Sequence, residues 1–363
     1  MLSRLYTSSP IETRKQIRIG FLPQLDAAPL VAAHKLGLFR KFGIEVELRL
    51  EIGSATIRDK IIHGELEAGQ ADAAMPLTLN AGAGNIACEC LTGIVLSSQS
   101  SAVIVSKRLW DRGVRDGKSF RDEIMRSRTT KVHTFGVAFQ FASANFLLRH
   151  WLQSAGLEID RHVRIATVPL SQTLQHLKSG HLEGFAGGEP WTSNALEDEV
   201  GCCIATMADV FPQVPETALV VRSEFADAQR EQHLKLIAAL IEACSFCESP
   251  QNHSVMVDTL SKHLGAPRDA LKGNFSAVGP TRTGPQAVGL IFDRGGSCEP
   301  SGDKAAWILR QLAAVGALNE SLVTHGELIR RAFRPDLFQQ AKQLISHPTT
   351  HENEFNTACC STL

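Results

Sequence analysis

The residues best placed for chemistry stand where expected strands give way to expected helices. Asp26 lies at such a junction, where a carboxylate either caps a helix or meets a ligand. Glu189 and Trp191 follow another strand end in the run Gly187-Gly188-Glu189-Pro190-Trp191. The paired glycines permit an unusual backbone path, so Glu189 either faces a cleft or holds the turn by accepting backbone N–H groups. Arg58-Asp59-Lys60 falls on an expected helix and reads as a solvated face whose ion pairs contribute little. Covalent or metal chemistry finds less support. The chain has 13 histidines, but His63, His133, His150, His162, His176 and His181 are scattered and read as surface residues. Nothing has the layout of a calcium loop, so neither a metal nor another cofactor is expected. There are 9 cysteines, an odd count with neighbours such as Cys202-Cys203 and Cys359-Cys360, which suits free thiols rather than a disulfide framework. Cys244-x-x-Cys247 has a redox-like spacing but sits in a helical stretch with no strand before it. No Gly-x-Ser-x-Gly, His-Glu-x-x-His or phosphate loop is present. These absences argue against an enzyme.

The elements that position these residues follow from periodicity. Ile17–Phe21 alternates as a strand, Ala28–Phe39 carries helical spacing, and Ile44–Leu50 alternates again. Ala55–His63 reads as a short helix stopped by Gly64. Strands follow at Ile94–Val95 and Ala102–Val105. Strand, helix, strand, helix, strand implies parallel strands with helical crossovers, a layout in which ligands sit at the carboxyl ends of the strands. A second α/β unit begins near Ser106, with strands at Val132–Val137, Val163–Val168, Leu182–Ala186, Val200–Met207 and Ala218–Val221. Helices are expected at Ser143–Ala155 and Gln172–Ser179. Gln229–Cys247 then shows a helical stripe, followed by helices near Ser254–Leu264 and Ala305–Val315. Residues 273–303 between these last two are expected to be an irregular excursion.

Composition sets bounds. With 363 residues, 44% hydrophobic and 21% charged, the chain is long enough for two or three domains and is neither disordered nor fibrous. A formal net charge of -1 gives no electrostatic footprint for nucleic acid. No apolar run approaches the length of a membrane span, and the first residues lack the apolar core of a secretory signal. A cytoplasmic location is the resulting expectation.

By residue 75 the pattern becomes specific. GFLPQLDAAPLVAAHKLGLFRKFGIEVEL followed by SATIRDKIIHGELEAGQADAAMPL resembles the start of the nitrate- and bicarbonate-binding proteins of ABC transporters. It is equally similar to their soluble relatives that sense nitrate in the cytoplasm. Gly188-Glu189-Pro190-Trp191 matches a signature of that family, and Arg334-Pro335-Asp336-Leu337 also fits. The resemblance implies an α/β, two-lobed type II periplasmic-binding-protein fold with a hinge. Residues 17–105 plus 222–345 would form one lobe and 106–221 the other, with a polar arm at 1–16 and a loose tail at 346–363. The hinge crossings would lie near 102–107 and 218–223. It further implies a non-catalytic small-molecule binder in nitrogen metabolism, with a cytoplasmic sensor as the leading form. The partner would be an RNA-binding antiterminator, or ABC-transporter subunits if the chain is a transport receptor. A thiamine-pyrimidine-synthesis-like enzyme on the same fold is the remaining alternative.

In nitrate-binding relatives a Trp, a Gln, a His and a Lys hold the anion, as burial of a monoanion requires donors and preferably a cation. Matching by flanking motifs places these at Ser54, at Ser101 (with Gln99 two residues away), at Ala144 (followed by Asn145) and at Thr217. With Asp26 and Glu189 these are the candidate ligand-binding residues. The replacements imply a roomier, more neutral, hydroxyl-lined cavity that suits a larger polar solute better than nitrate or nitrite.

Overall fold

The structure is a computed structural model. It describes residues 16–85, 87–127, 132–211, 214–264, 268, 271, 290–319 and 326–346. The expected arm and tail (Gln16 and Ser346 aside) and residues 273–289 of the expected excursion lie outside the described residues.

Most strands form where the alternating runs predicted them, while those at Ala68–Asp72 and Cys90–Leu91 fall outside the expected set. The strands are β1 (Ile17–Phe21), β2 (Val46–Leu50), β3 (Ala68–Asp72), β4 (Cys90–Leu91), β5 (Val95–Ser98), β6 (Ala102–Ser106), β7 (His133–Val137), β8 (Val163–Thr167), β9 (Gly184–Gly187), β10 (Gly201–Thr206) and β11 (Pro215–Arg222). They make two sheets. The first has the order β2-β1-β3-β11-β4, with β5 also paired to β11, and the second has the order β10-β6-β9-β7-β8. The parallel rhythm holds for β1 with β2 and β3, and for β7 with β8 and β9. It fails at the crossings. β11 runs antiparallel to β3, with Thr217 opposite Asp72 and Leu219 opposite Gln70. β6 runs antiparallel to β9 and β10.

This pairing corrects the expected hinge. The run Ala218–Val221 was expected in the second lobe, yet β11 belongs to the first sheet, and β6 begins the second. The chain therefore passes between sheets at Gln99–Ser101 and again between Thr206 and Pro215. Strand periodicity shows which face is buried but not which sheet a strand joins, because that depends on a partner distant in sequence.

Helices cover the sheets. The expected Ala28–Phe39 helix splits into Ala28–Lys35 and Leu38–Lys41, because Gly37 between them takes φ 70°. That left-handed conformation is one glycine adopts without penalty. Helix Arg230–Glu248 presents Leu236, Ile237, Leu240 and Cys244 to the core of the first lobe. It packs between Ala28–Lys35 and Pro335–Ser346. Helix Gly302–Ala314 reaches across to the second lobe, where the Trp307 ring lies 6.1 Å from Phe146 and 5.1 Å from Phe211. His133, expected at the surface, is buried, with its ring 5.4 Å from that of Phe120. The described cysteines are free thiols, all buried except the half-buried Cys88.

Gly69 brings helix Ser54–Ile62 unusually close to the first sheet. A Cβ there would come 2.4 Å from Ile57 Cγ2 and 3.3 Å from Ile61 Cδ1. This proximity sets the helix start, Ser54, against the carboxyl end of β3. Gly69→Val should overpack this contact and cost about 1–3 kcal/mol. Urea unfolding checks it, and an unchanged midpoint would show that the close approach is not needed.

Candidate functional site

The carboxyl ends of the strands in both sheets face one another across a cleft, as expected for such sheets. From the first lobe it receives Gln24 and Asp26 after β1, Gln70 and Asp72 on β3, and Ser54. Ser100 and Ser101 from one crossing and Glu216 and Thr217 from β11 complete that wall. The second lobe contributes a small, mostly apolar wall of Ala138, Leu170, Ala186, Gly187 and Gly188. The start of helix Ser143–Ser154 also lies there, at Ala142, Ser143 and Ala144, and no side chain caps it.

The lobes meet closely. Leu25 N donates to Glu189 O at 3.0 Å, and Ser143 Oγ donates to Pro215 O at 3.1 Å. Gly188 comes close to the first lobe: a Cβ there would lie 3.3 Å from Ser100 Oγ and 3.4 Å from Asp26 Oδ2, a tight fit. The cleft is partly open to solvent and offers about 40 Å³ of room to the centre of a water-sized sphere, lined by Asp26, the serines and the approaching Gly188.

The expectation of a neutral lining is corrected. Asp26, Asp72 and Glu216 all line the cleft, and no lysine, arginine or histidine does so among the described residues. Glu216 accepts from Ser100 Oγ and Ser101 N, each at 2.9 Å, and from Ser101 Oγ. Asp26 accepts from Ser97 Oγ, which lies 2.6 Å from Thr217 Oγ1. Asp72 bonds Ser54, while its Oδ2 is covered and has no partner. Gln70 is fully buried. Its Oε1 accepts from Leu22 N at 3.0 Å, which leaves Nε2 without a partner. Burial raises the pKa of all three carboxyls. Asp72 is pushed up to about 6, and Glu216 to about 7 with the Asp26 charge adding to burial. A monoanion about 5 Å from one ionised carboxylate, at an effective dielectric of about 20, is repelled by roughly 3 kcal/mol. Anion binding therefore needs protonated carboxyls here, whereas N–H donors meet ready acceptors.

Of the candidate residues, Asp26, Ser54, Ser101, Ala144 and Thr217 line the cleft. Gln99 does not; it forms the turn of the crossing at φ 61°. Asn145 is buried behind the wall, where its Nδ2 donates to Gln140 O at 2.6 Å and its Oδ1 accepts from Arg149 Nε. The Glu189 side chain is taken up by its own turn, accepting from Ser193 N at 3.0 Å and Ser193 Oγ at 3.1 Å. The sequence reading missed Gln70, Asp72, Ser100 and Glu216. The signal for Asp72 was present, since it ends a short strand in the series. Glu216 had no such mark, because its role depends on pairing between β11 and β3.

The sequence profile of the NMT1-like family matches residues 11–261. The chain belongs to the NMT1-like family. Among relatives of this member, the nitrate import ATP-binding protein NrtC of Synechocystis sp. is 31% identical over 350 residues, covering 94% of this chain and 52% of that protein. The bicarbonate-binding protein CmpA of Synechococcus sp. is 30% identical over 257 residues, covering 68% of this chain and 57% of that protein. This NMT1-like chain thus spans about half the length of these curated relatives. The crystal structure of the periplasmic nitrate-binding protein NrtA from Synechocystis has the same fold, with TM-score 0.86 and 21% identity over 93% of this chain and 90% of that one. The alkanesulfonate-binding protein SsuA from Xanthomonas axonopodis pv. citri shares it more loosely, with TM-score 0.62 and 16% identity over 90% of this chain and 98% of that one. The fold is therefore the two-lobed periplasmic-binding-protein architecture.

The raised carboxyls give a pH signature. Each holds its proton more tightly in the folded chain than in the unfolded one, whose carboxyls titrate near 3.8 and 4.5. Stability is full below those values and is lost as pH rises through about 6 and 7. The ligand-free protein should therefore melt lower at pH 8 than at pH 5, and Glu216→Gln should shrink that difference. A variant with the same pH slope as the parent would show that Glu216 ionises freely.

Proposed function

We propose that this chain is the substrate-binding component of an ABC import system, closing its two lobes on a small solute without altering it. The observation that carries this reading is the cleft itself. It is walled by both lobes, sealed by the Leu25–Glu189 and Ser143–Pro215 bonds, and spanned by two crossings that can flex as a hinge. Relatives named for nitrate import and bicarbonate binding support it. Those names carry no ligand over by themselves, since function resides in the site and not in the fold. No cysteine or histidine lines the cleft among the described residues, so a pyrimidine-synthesis chemistry with a reactive histidine finds no support there.

A second reading, a cytoplasmic sensor that reports closure to a regulatory partner such as an RNA-binding antiterminator, is favoured by the free thiols, which suit a reducing compartment. Closure would signal only if ligand binds the two conformers unequally. Cell fractionation separates the readings: transport predicts co-purification with membrane-embedded transporter subunits, and sensing predicts a soluble pool bound to its regulator.

Closure itself is measurable. With fluorophores on the two lobes, a true ligand should shorten the interlobe distance and, at a hundred times its Kd, add about 2.7 kcal/mol of stability. A lobe separation that never changes, with or without solute, would sink the receptor and sensor readings together.

A further inference from the structure

We propose that the cleft recognises a small organic cation with several N–H donors, of the guanidinium, amidinium or alkylammonium class, rather than nitrate or another acceptor-only anion. This rests on the reading of the chain as a closing solute receptor and names the ligand class of that same cleft.

Three observations converge. The first is charge: Asp26, Asp72 and Glu216 line the cleft, and no cationic side chain among the described residues does. The start of helix Ser143–Ser154 supplies the opposing field, equivalent to roughly half a positive charge. Against up to three carboxylates it does not reverse the sign. The second is unmet hydrogen bonding. Asp72 Oδ2 and Gln70 Nε2 are buried without partners, although buried polar groups are almost always paired. Gln70 lies wholly inside, and its carbonyl is already committed to Leu22 N. The unmet acceptor Asp72 Oδ2 suits a solute that gives it an N–H, whereas the unmet donor Gln70 Nε2 is left as it stands by a donor-only cation. The third is size, since room of about 40 Å³ for the centre of a water-sized sphere suits a small solute. The carboxylates are not gathered as a metal cluster would be; no group of three or more such ligands forms among the described residues. Acceptors spread along the walls suit a ligand whose donors are themselves spread, and a planar cation with N–H groups on several edges has that property.

Charge can be tested at constant shape. Nitrate, urea and guanidinium are all planar, trigonal and of four heavy atoms, with charges of about −1, 0 and +1. Titration calorimetry and interlobe fluorescence on the full chain, at pH 8 with a chelator present and guanidinium at millimolar concentration, compare them directly. Methylammonium, nitrite and bicarbonate complete the set. The expected result is heat and lobe closure with guanidinium or methylammonium, much weaker binding of urea, and none of nitrate. Asp72→Asn and Glu216→Gln should each weaken the cation at least tenfold, while their ligand-free melting temperatures stay equal to or above the parent's. That second readout separates lost recognition from lost folding. Closure on nitrate, nitrite or bicarbonate would overturn the cation assignment while leaving the receptor reading intact. Silence from every cation, in a chain whose lobes still sample open and closed positions, would overturn the assignment too. A chain whose lobes never move would take the receptor reading with it.

Discussion

The carboxylate of Glu216 joins the two places where the chain passes between lobes. It sits at the start of β11 and accepts from Ser100 and Ser101 in the other crossing. Two strands that must separate at a hinge are thereby held side by side by a buried acceptor, and the unpaired alternative would be costly. The antiparallel pairing of β11 with β3 makes this possible, because it brings Thr217 opposite Asp72 at the mouth of the cleft. The hinge and one wall of the site are therefore the same residues. A ligand that changes the charge state of Glu216 also changes the crossing on which closure turns.

Packing decides how much room remains. Gly69 lets helix Ser54–Ile62 press onto the first sheet, which carries Ser54 to Asp72. Gly188 allows the second lobe to approach Asp26 and Ser100 nearly to contact. The result is a cleft sized by backbone approach rather than by large side chains. Its second-lobe wall is small and apolar, so selectivity falls to the acidic groups of the first lobe and the crossings. A scaffold shared with nitrate- and sulfonate-binding proteins here carries a cleft lined by three carboxyls.

Much of the architecture was written locally in the chain. Alternation marked Ile17–Phe21 as a strand, the apolar stripe marked Arg230–Glu248 as a helix, and the motif order marked a two-lobed fold. The polar helix Gly117–Arg126 escaped that reading because its start depends on a reciprocal cap between Asp116 and Ser119 rather than on a continuous apolar stripe. The site was legible in part. Asp26, Ser54, Ser101, Ala144 and Thr217 were found and do line the cleft, since each lies next to a motif that fixes its place at a strand end or helix start. Asn145 and Glu189 were also singled out, and their side chains are spent on local hydrogen bonds.

The sequence by itself determined most of the elements, the absence of a lysine at Thr217 and the bulk charge near neutrality, because these depend only on neighbours along the chain. Tertiary structure alone decided that β11 joins the first sheet, that the crossings lie side by side, and that Asp26, Asp72 and Glu216 share one cavity. The physical reason is that periodicity records which face of an element is buried, whereas strand partners and the summed field in a cleft depend on residues far apart in sequence. An overall net charge of -1 conceals a cleft lined by three carboxyls and, among the described residues, by no lysine or arginine.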